Sequence, residues 1–377
     1  MLDSKSFLFS LKRNPLARLL LSETFYKQFC AGSMSDKVGK TCRTLRHQGY
    51  GGIILEYALE VLKEAEGDEM ADVAAWRDGM LATVSMSSPG DFVALKWSGM
   101  GPAALRRCAD QQPPSATMDD AMKDVCTAAA AKRVGVLPSA EEHWNLPGYH
   151  SWTLDLQRVF NREDKAVVYN TYQCYLRDAP NTVTQHLKMA RLEGFTLGAK
   201  LVRGAYQVSE DRELIQPSIE ATHATYNGIM ASLIERKNNN FIRLAPTAET
   251  GRIWPKIDVM VATHNAASVQ LAQRLRKNQA VVNDELTPLT FAQLQGMADE
   301  VSCSLLAANR EGGTGEQSQE QVFKFIPWGT MPECLNYLLR RAAENGDAVL
   351  RTSETRMAMG SEIRRRFMAK MGLNQMF

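Results

Sequence analysis

The sequence lacks the features by which several large classes of protein are recognised. Its seven cysteines and six histidines are dispersed, with no C-x-x-C pair, so neither a disulfide framework nor a metal site is indicated. No apolar run reaches the roughly 18 residues that a transmembrane helix needs. The formal net charge is only +2, which gives no reason to expect nucleic acid as a partner. We therefore expect free thiols of a reducing compartment and no metal.

The first residues carry a weak targeting pattern. The stretch from Ser4 to Ser22 has no acidic residue and includes Arg13 and Arg18, which is compatible with an amphipathic targeting helix. The stretch is short for such a leader, and an N-terminal helix docked on the protein is the favoured interpretation. No transmembrane segment is expected, and a peripheral membrane contact stays open.

Two glycine-containing stretches resemble nucleotide-binding loops only superficially. Val38–Thr41 ends like a phosphate loop, but Met34 occupies the position of the required first glycine. Gly49–Gly52 lacks a third glycine and precedes an apolar run instead of following one. No G-x-S-x-G motif is present either. Nucleotide binding through these fingerprints is therefore not expected.

The texture of the chain changes near residue 90. Before it, Ile54, Ala58 and Val61 fall at helical spacing, which predicts an N-terminal helical arm over residues 1–90. After it, apolar runs alternate with helical stretches, which predicts βαβ units. The predicted strands are Phe92–Lys96, Val134–Leu137, Ala166–Asn170, Thr196–Val202, Ile257–Thr263 and Val322–Ile326, with weaker ones at Leu289–Leu294 and Ser302–Leu306. Residues 91–377 are accordingly predicted to form a (βα)8 barrel in an α/β protein.

Polar side chains close several of these runs, where a barrel places its active site. Lys96 ends the first predicted strand, and Thr263, His264 and Asn265 directly follow a buried one. Lys96 has an equally simple explanation as a lysine whose stem packs at a strand end. Three consecutive hydrogen-bonding side chains after an apolar strand are better explained by a site.

The last helical stretch has the most specific pattern. Tyr337, Arg340, Arg341 and Glu344 have the spacing i, i+3, i+4 and i+7, so they share one helix face. A solvated face with an Arg340–Glu344 pair explains the pattern equally well in isolation. The helix follows the last strand, however, so its face can lie over the barrel mouth. There, two adjacent guanidinium groups are suited to a carboxylate, which predicts a small amino acid as substrate.

Six segments in this order resemble the proline dehydrogenases, particularly those of fungi and other eukaryotes. They are Gly51–Tyr57, Asn170–Leu176, Leu201–Tyr206, Ala262–Asn265, Gln293–Met297 and Tyr337–Asn345. The resemblance extends over nearly the whole chain from Asn14. It implies a distorted (βα)8 barrel that binds FAD and oxidises L-proline to 1-pyrroline-5-carboxylate by hydride transfer to flavin N5. It also implies a quinone as electron acceptor and a mitochondrial location; the weak leader keeps the cytoplasm as the alternative.

The resemblance assigns a role to individual residues. Around the substrate it implies a carboxylate clamp of Arg340, Arg341 and Lys96, walls from Tyr337 and Leu294, and Glu344 orienting the arginines. Around the flavin it implies Gln173, Lys200, Val202, Arg203, Gly204, Ala205, Tyr206, Thr222, Thr263, His264 and Asn265.

Two positions depart from the family pattern. Ser139 stands where a carboxylate is usual, and Phe325 stands where a tyrosine commonly lines the substrate. We expect the first change to make the site more positive, unless Glu141 compensates, and the second to keep an apolar wall without a hydroxyl. Two alternatives stay open: a paralogue that oxidises another cyclic or N-substituted amino acid, and a barrel that binds a ligand without redox chemistry.

Overall fold

The computed structural model describes residues 14–58, 68–163, 165–246, 254–281, 285–311 and 320–344, with six further positions from 357 to 365. The strands are β1 Gly52–Tyr57, β2 Phe92–Leu95, β3 Gly135–Pro138, β4 Tyr169–Gln173, β5 Leu197–Val202, β6 Ile257–Ala262, β7 Leu289–Leu294 and β8 Gln321–Trp328. The α-helices are α1 Pro15–Leu21, α2 Lys27–Phe29, α3 Ser35–His47, α4 Glu69–Met86, α5 Pro102–Ala109, α6 Ala116–Lys132, α7 Leu146–Phe160, α8 Ala179–Glu193, α9 Ile219–Glu235, α10 Ala266–Val281, α11 Asp299–Glu311 and α12 Met331–Glu344. No helix in this part of the chain is long and apolar enough to cross a membrane.

All eight strands are parallel, in the order β3-β2-β1-β8-β7-β6-β5-β4. The ends of this sheet meet between β3 and β4, where Val136 donates its N–H to the carbonyl of Val167 at 2.7 Å and bridges to Val168. Nearer the carboxyl ends, side chains complete the seam, because Thr171 Oγ1 donates to the carbonyl of Pro138 at 2.7 Å. The predicted (βα)8 barrel is confirmed.

Most of the strands are nearly continuous apolar runs because they are buried on both faces, whereas β4 is mostly polar although it is buried as well. Inside the barrel lies one apolar cluster, formed by Ile54, Phe92, Ala94, Leu137, Tyr169, Met260, Ala292 and Phe323. Alternate strand residues point outward into a larger shell beneath the helices, for example Ile53, Leu55 and Val261. Along each strand, the next inward-facing position lies two residues after the member of this cluster and is at the barrel mouth.

The helical prediction for residues 1–90 is wrong at β1, so the barrel begins well before residue 91. Ile53, Ile54 and Leu55 are all fully buried, and a strand buried on both faces loses the alternation that would identify it. Ala58 follows the strand, while Val61 lies outside the described residues. The predicted strand Ser302–Leu306 is also wrong, because it lies inside α11.

The last helix, α12, does not pack on the outer wall. Its Cys334 and Tyr337 share a buried cluster with Cys30 and Ala58, against which Phe325 of the barrel interior also packs. The outer position is taken by α3, whose Leu45 lies in the same apolar shell as Leu306 of α11. α12 therefore lies over the barrel mouth, which confirms its expected position.

A short segment, residues 26–32, which includes α2, lies at the mouth; we call it the strap. Ala31 donates its N–H to the carbonyl of Pro327 at 2.8 Å, and Gly329 donates to the carbonyl of Gly32 at 3.0 Å. Tyr26 adds a bond from its hydroxyl to the carbonyl of Gly329 at 2.6 Å. The strap is thus fixed to the end of β8, directly before α12 begins.

Candidate active site

One end of the mouth is formed by Lys96, directly after β2, and by residues of α12. The Nζ atom of Lys96 lies 5.9 Å from the centroid of the Tyr337 ring, and Cζ of Arg341 lies 5.7 Å from the same centroid. Tyr337 is buried, whereas Lys96 and both arginines, Arg340 and Arg341, are half-buried. The structure thus gathers two cations around one aromatic ring, with Arg340 adjacent on the helix. A cation above a ring face is attracted by its quadrupole.

The walls of the mouth come from β7 and β8. Leu294 ends β7 and is paired in register with Phe325, which lies inside β8. Phe325 faces Lys200, whose Nζ lies 5.6 Å from the ring centroid. The strand register therefore places Leu294 and Phe325 side by side on the inward face.

The two remaining substrate-side predictions have different outcomes. Ser139 directly follows β3 and donates its N–H to the carbonyl of Leu95 at 2.8 Å, which holds it beside the strand that leads to Lys96. Glu344 is the last residue of α12, and its side chain lies outside the described residues. Its expected role in orienting the arginines stays a prediction.

Glu141 is held away from the mouth. Its carboxylate accepts a hydrogen bond from the Tyr149 hydroxyl of α7, and Tyr149 belongs to the apolar cluster outside the barrel. Only its backbone carbonyl serves the seam, where it accepts from Gln173 Nε2 at 2.7 Å. The Glu141 carboxylate is therefore committed to α7 and does not replace the charge missing at Ser139.

Lys200 is a buried cation in the barrel wall. It is 7% exposed on β5, and burial lowers the pKa of its ammonium group to about 8, an effect that the negative charge of Glu56 partly opposes. Burial has this effect because it penalises the charged form. Lys200 therefore loses its proton more readily than an exposed lysine.

Arg203 organises the opposite side of the mouth, after β5. Its guanidinium donates to Thr263 Oγ1 at 2.6 Å, Ser268 Oγ at 2.8 Å and His223 Nδ1 at 3.0 Å, and its Cζ lies 4.3 Å from the centroid of the Tyr226 ring. These contacts join the ends of β5 and β6 to the first turns of α9 and α10. A fixed positive charge beside two helix N-termini makes this region suited to an anion.

The other cofactor-side predictions surround Arg203. His264 Nε2 accepts the N–H of Leu294 at 3.1 Å, and Asn265 Oδ1 accepts the N–H of Ser268 at 2.9 Å, at the start of α10. Thr222 lies in the first turn of α9 and is buried. The remaining half-buried residues lie at the end of β5 and just after it, namely Val202, Gly204, Ala205 and Tyr206.

The backbone conformation at position 204 favours glycine. It has φ +133°, and a Cβ atom there would lie 2.0 Å from the Tyr175 ring. Side chains rarely adopt this conformation, so the position favours glycine. The turn after β5 depends on this close approach.

Sequence reasoning missed Glu56, which lies at an inward position of β1 and is 4% exposed. Among the described residues, its Oε2 atom has no hydrogen-bond partner. The alternation Gly52, Ile54, Glu56 was the available signal, but β1 was interpreted as helical. His223 and Ser268, two partners of Arg203, were missed as well, since nothing local distinguishes them.

A separate half-open cavity of about 440 Å³ lies outside the barrel, between α7 and α8. His150, Tyr172 and His186 contribute to its lining, and Tyr172 hydroxyl and His186 Nδ1 are 2.9 Å apart. It shares Gln173 with the barrel mouth. Burial lowers the pKa of His150 to about 4, so that imidazole is neutral at physiological pH.

Comparisons with known proteins complete this picture. The sequence model of the family described as proline dehydrogenase matches residues 38–354. This chain belongs to the proline dehydrogenase family. The family resemblance predicted from six segments is thereby confirmed.

Several curated members of the family are similar to the chain. "Proline dehydrogenase 1, mitochondrial" of Drosophila melanogaster is 33% identical over 277 residues, which covers 70% of this chain and 38% of that protein. The human protein of the same name is 35% identical over 241 residues, covering 62% and 36%. "Probable proline dehydrogenase, mitochondrial" of Schizosaccharomyces pombe is 28% identical over 413 aligned residues, covering 94% and 80%. The chain thus spans well under half the length of the first two.

The solved structures agree on the fold. The crystal structure of proline utilization A from Bdellovibrio bacteriovorus, inactivated by N-propargylglycine, matches with a TM-score of 0.68 at 17% identity and covers 89% of this chain and 34% of that one. At this identity the likeness concerns the fold alone, and it supports the barrel described above.

Proposed function

We propose that this chain is an FAD-dependent proline dehydrogenase, which oxidises L-proline to 1-pyrroline-5-carboxylate. The observation that carries the proposal is the group formed by Lys96, Tyr337 and Arg341 over the mouth of a proline dehydrogenase barrel. The chain spans only part of the length of several relatives, so the site itself carries the proposed activity.

The α12 side of the mouth is suited to the carboxylate of an amino acid. Arg340 and Arg341 supply planar, bidentate donors, and Lys96 adds a third positive charge. Tyr337, Leu294 and Phe325 supply apolar walls for the ring carbons of the substrate. In this proposal Glu344, the last residue of α12, orients the arginines.

The β4 to β6 side is suited to FAD. Arg203, with its three hydrogen bonds and the first turns of α9 and α10, offers the positive field that a pyrophosphate needs. Thr222, Thr263, His264 and Asn265 lie at those turns and would hold the ribityl and pyrophosphate groups. Gln173, Lys200 and the segment Val202–Tyr206 would line the ring system. When bound, FAD supplies the electron sink for hydride removal.

The residues of this chain contribute orientation. The clamp on α12 fixes the carboxylate and thereby the position of the ring carbon beside the nitrogen, which converts binding energy into alignment worth several kcal/mol. Glu56 offers a buried carboxylate oxygen without a hydrogen-bond partner in the described part of the chain, and this oxygen can accept an N–H of the substrate amine. α12 and the strap over the mouth limit the access of water.

The electron acceptor and the location in the cell are further parts of the proposal. A quinone as electron acceptor follows from the family resemblance alone. A mitochondrial location is supported by the printed names of the relatives from fly, human and fission yeast, with the cytoplasm as the alternative.

The proposal is tested with purified protein under anaerobic conditions. A flavin spectrum that L-proline bleaches is expected for the wild type, and Arg341→Ala should raise the proline KM at least tenfold while leaving the flavin bound. The matched control is Arg77→Ala, whose guanidinium pairs with Asp124 on the outer surface at 2.6 Å. Equal proline KM values for both variants would contradict the clamp, and a colourless protein that binds no FAD would leave the non-redox barrel as the function.

A second candidate is the oxidation of another cyclic or N-substituted amino acid. It is favoured by Ser139, because the Glu141 carboxylate is committed to Tyr149 and does not restore the missing charge. Phe325 removes a hydroxyl from the wall at the same time. Flavin reduction by L-proline is therefore to be compared with hydroxyproline, pipecolate and sarcosine; faster reduction by one of these would select the second candidate.

A further inference from the structure

We propose that Cys30 and Cys334 form a dithiol modification site, at which oxidation to a disulfide cross-links the strap to α12. Nothing in the proposed reaction uses these thiols. The site would connect the N-terminal segment covalently to the helix that carries the proposed carboxylate clamp. Its effect on substrate binding rests on the proposed function, whereas its formation does not.

The two cysteines approach each other because their segments are fixed to the same strand end. Ala31, next to Cys30, donates its N–H to the carbonyl of Pro327 at 2.8 Å. Gly329, just beyond β8, donates to the carbonyl of Gly32 at 3.0 Å and accepts from the Cys334 thiol at 3.6 Å. These hydrogen bonds thus hold the segments of both cysteines against the end of β8 and the loop that follows it.

Their side chains meet in a small buried cluster. Cys30 is 4% exposed and Cys334 is fully buried, and the two share this cluster with Ala58 and Tyr337. The pKa of the Cys334 thiol lies well above its ordinary value, first because of its hydrogen bond with the Cys30 thiol and then because of burial. Glu333 and Glu56 act in the same direction. The two buried thiols therefore belong to one small cluster, one on each segment, and a disulfide would join the segments directly.

The chemistry needs an oxidant, for which a peroxide is sufficient. Two thiols and one peroxide react to give one disulfide, and each half of the peroxide leaves as an alcohol or as water. The two sulfur atoms together lose two electrons, which break the O–O bond, and the two thiol protons go to the oxygen atoms. No net charge is formed. The thiolate is the reactive form, and burial keeps Cys334 protonated. Oxidation should therefore be slower than that of the exposed Cys303.

The disulfide should change substrate binding and spare the flavin. A sulfur–sulfur bond of about 2 Å is much shorter than a non-bonded contact, so its formation pulls α12 towards the strap. Tyr337 lies one turn after Cys334, and both arginines lie within the next turn. A displacement of about 1 Å at a positioning group can reduce catalysis by about a hundredfold. The flavin-side residues on β4 to β6 are not attached to α12.

The test compares oxidised and reduced holoenzyme. The wild type is treated with hydrogen peroxide or diamide, its remaining thiols are alkylated after denaturation, and peptides are mapped by mass spectrometry. The expected result is one cross-link between Cys30 and Cys334, a proline KM raised at least tenfold, an unchanged flavin spectrum and full recovery with dithiothreitol. In Cys30→Ser and Cys334→Ser, the proline KM should not change on oxidation. Cys42→Ser, which removes another buried thiol from α3, should respond like the wild type.

Each result decides one part of the proposal. Alkylation of both Cys30 and Cys334 after oxidation, with Cys303 already oxidised, would overturn the dithiol site. A cross-link that leaves the proline KM unchanged would overturn the coupling to the clamp. If proline is not a substrate, the cross-link itself remains measurable by mass, so failure of the proposed function is distinguishable from failure of the site.

Discussion

Replacing Asp258 by asparagine should stabilise the protein, and the gain should depend on pH. Asp258 lies at an inward position near the amino end of β6 and is 4% exposed. Its Oδ2 atom accepts from the Ala166 N–H at 2.8 Å and from the Tyr169 hydroxyl at 3.4 Å. Its Oδ1 atom has no hydrogen-bond partner in the described part of the chain. Burial raises the pKa of this carboxyl to about 6, although the Ala166 and Tyr169 bonds and Lys165 oppose the change.

The magnitude follows from the difference between the folded and unfolded pKa. A rise of about two units corresponds to about 3 kcal/mol. The native state holds the proton more tightly than the unfolded chain, so stability is lost as pH rises through the window from about 4 to about 6. Asparagine keeps an acceptor and carries no charge, but it retains a buried polar atom that costs about 1 kcal/mol. We expect Asp258→Asn to gain about 2 kcal/mol at pH 8 and considerably less at pH 4.5.

The assay is urea unfolding of both proteins at a series of pH values, at equal flavin occupancy. Asp91→Asn is the matched control, because Asp91 is equally buried but pairs with Arg46 and accepts the Ile53 N–H at 2.9 Å. That variant should be destabilised, since it removes the charge of a buried carboxylate and leaves the half-buried Arg46 guanidinium without its ion pair. A pH-independent gain for Asp258→Asn, or a loss at pH 8, would refute the reasoning.

Three further changes test the cofactor side and the mouth. Arg203→Met should weaken FAD binding at least tenfold in a fluorescence titration, because it removes the charge between α9 and α10; an unchanged Kd would reject the anion site. Gly204→Ala should destabilise the fold by about 1–3 kcal/mol in urea, because of its positive φ and its contact with Tyr175; equal stability would show that the turn adapts. Glu56→Gln should move the pKa of Lys200 below about 8, since it removes the charge that raises it; an unshifted pH profile of flavin absorbance would contradict this coupling.

Much of the barrel was predictable because its strands are short, apolar and separated by helical stretches. The prediction for β7 is confirmed to the residue, and those for β2, β3, β5, β6 and β8 to within a few residues at their ends. β1 failed for a physical reason: Ile53, Ile54 and Leu55 are buried on both faces, so periodicity could not separate strand from helix. The same error hid Glu56, because its inward direction is visible only when the segment is a strand.

The contacts that could not be predicted are those that join distant parts of the chain. Arg203 was identified by its segment, but its partners His223 and Ser268 follow from how α9 and α10 begin around it. Cys30 and Cys334 are separated by almost the whole sequence, and only the strap on β8 brings them together. Local patterns give residue types and faces; the closure of the barrel decides which faces meet.

The charges at the mouth agree with the proposal that the arginine pair binds a carboxylate. Lys96 and Arg341 approach the Tyr337 ring, and Lys200 approaches the Phe325 ring. Glu56 is a buried carboxylate at the same mouth, while the Glu141 carboxylate is turned away. Several cations in a low-dielectric mouth repel one another unless an anion joins them. An amino acid with its carboxylate near α12 and its amine towards Glu56 would satisfy both signs of charge. A cyclic amino acid carries both of these groups.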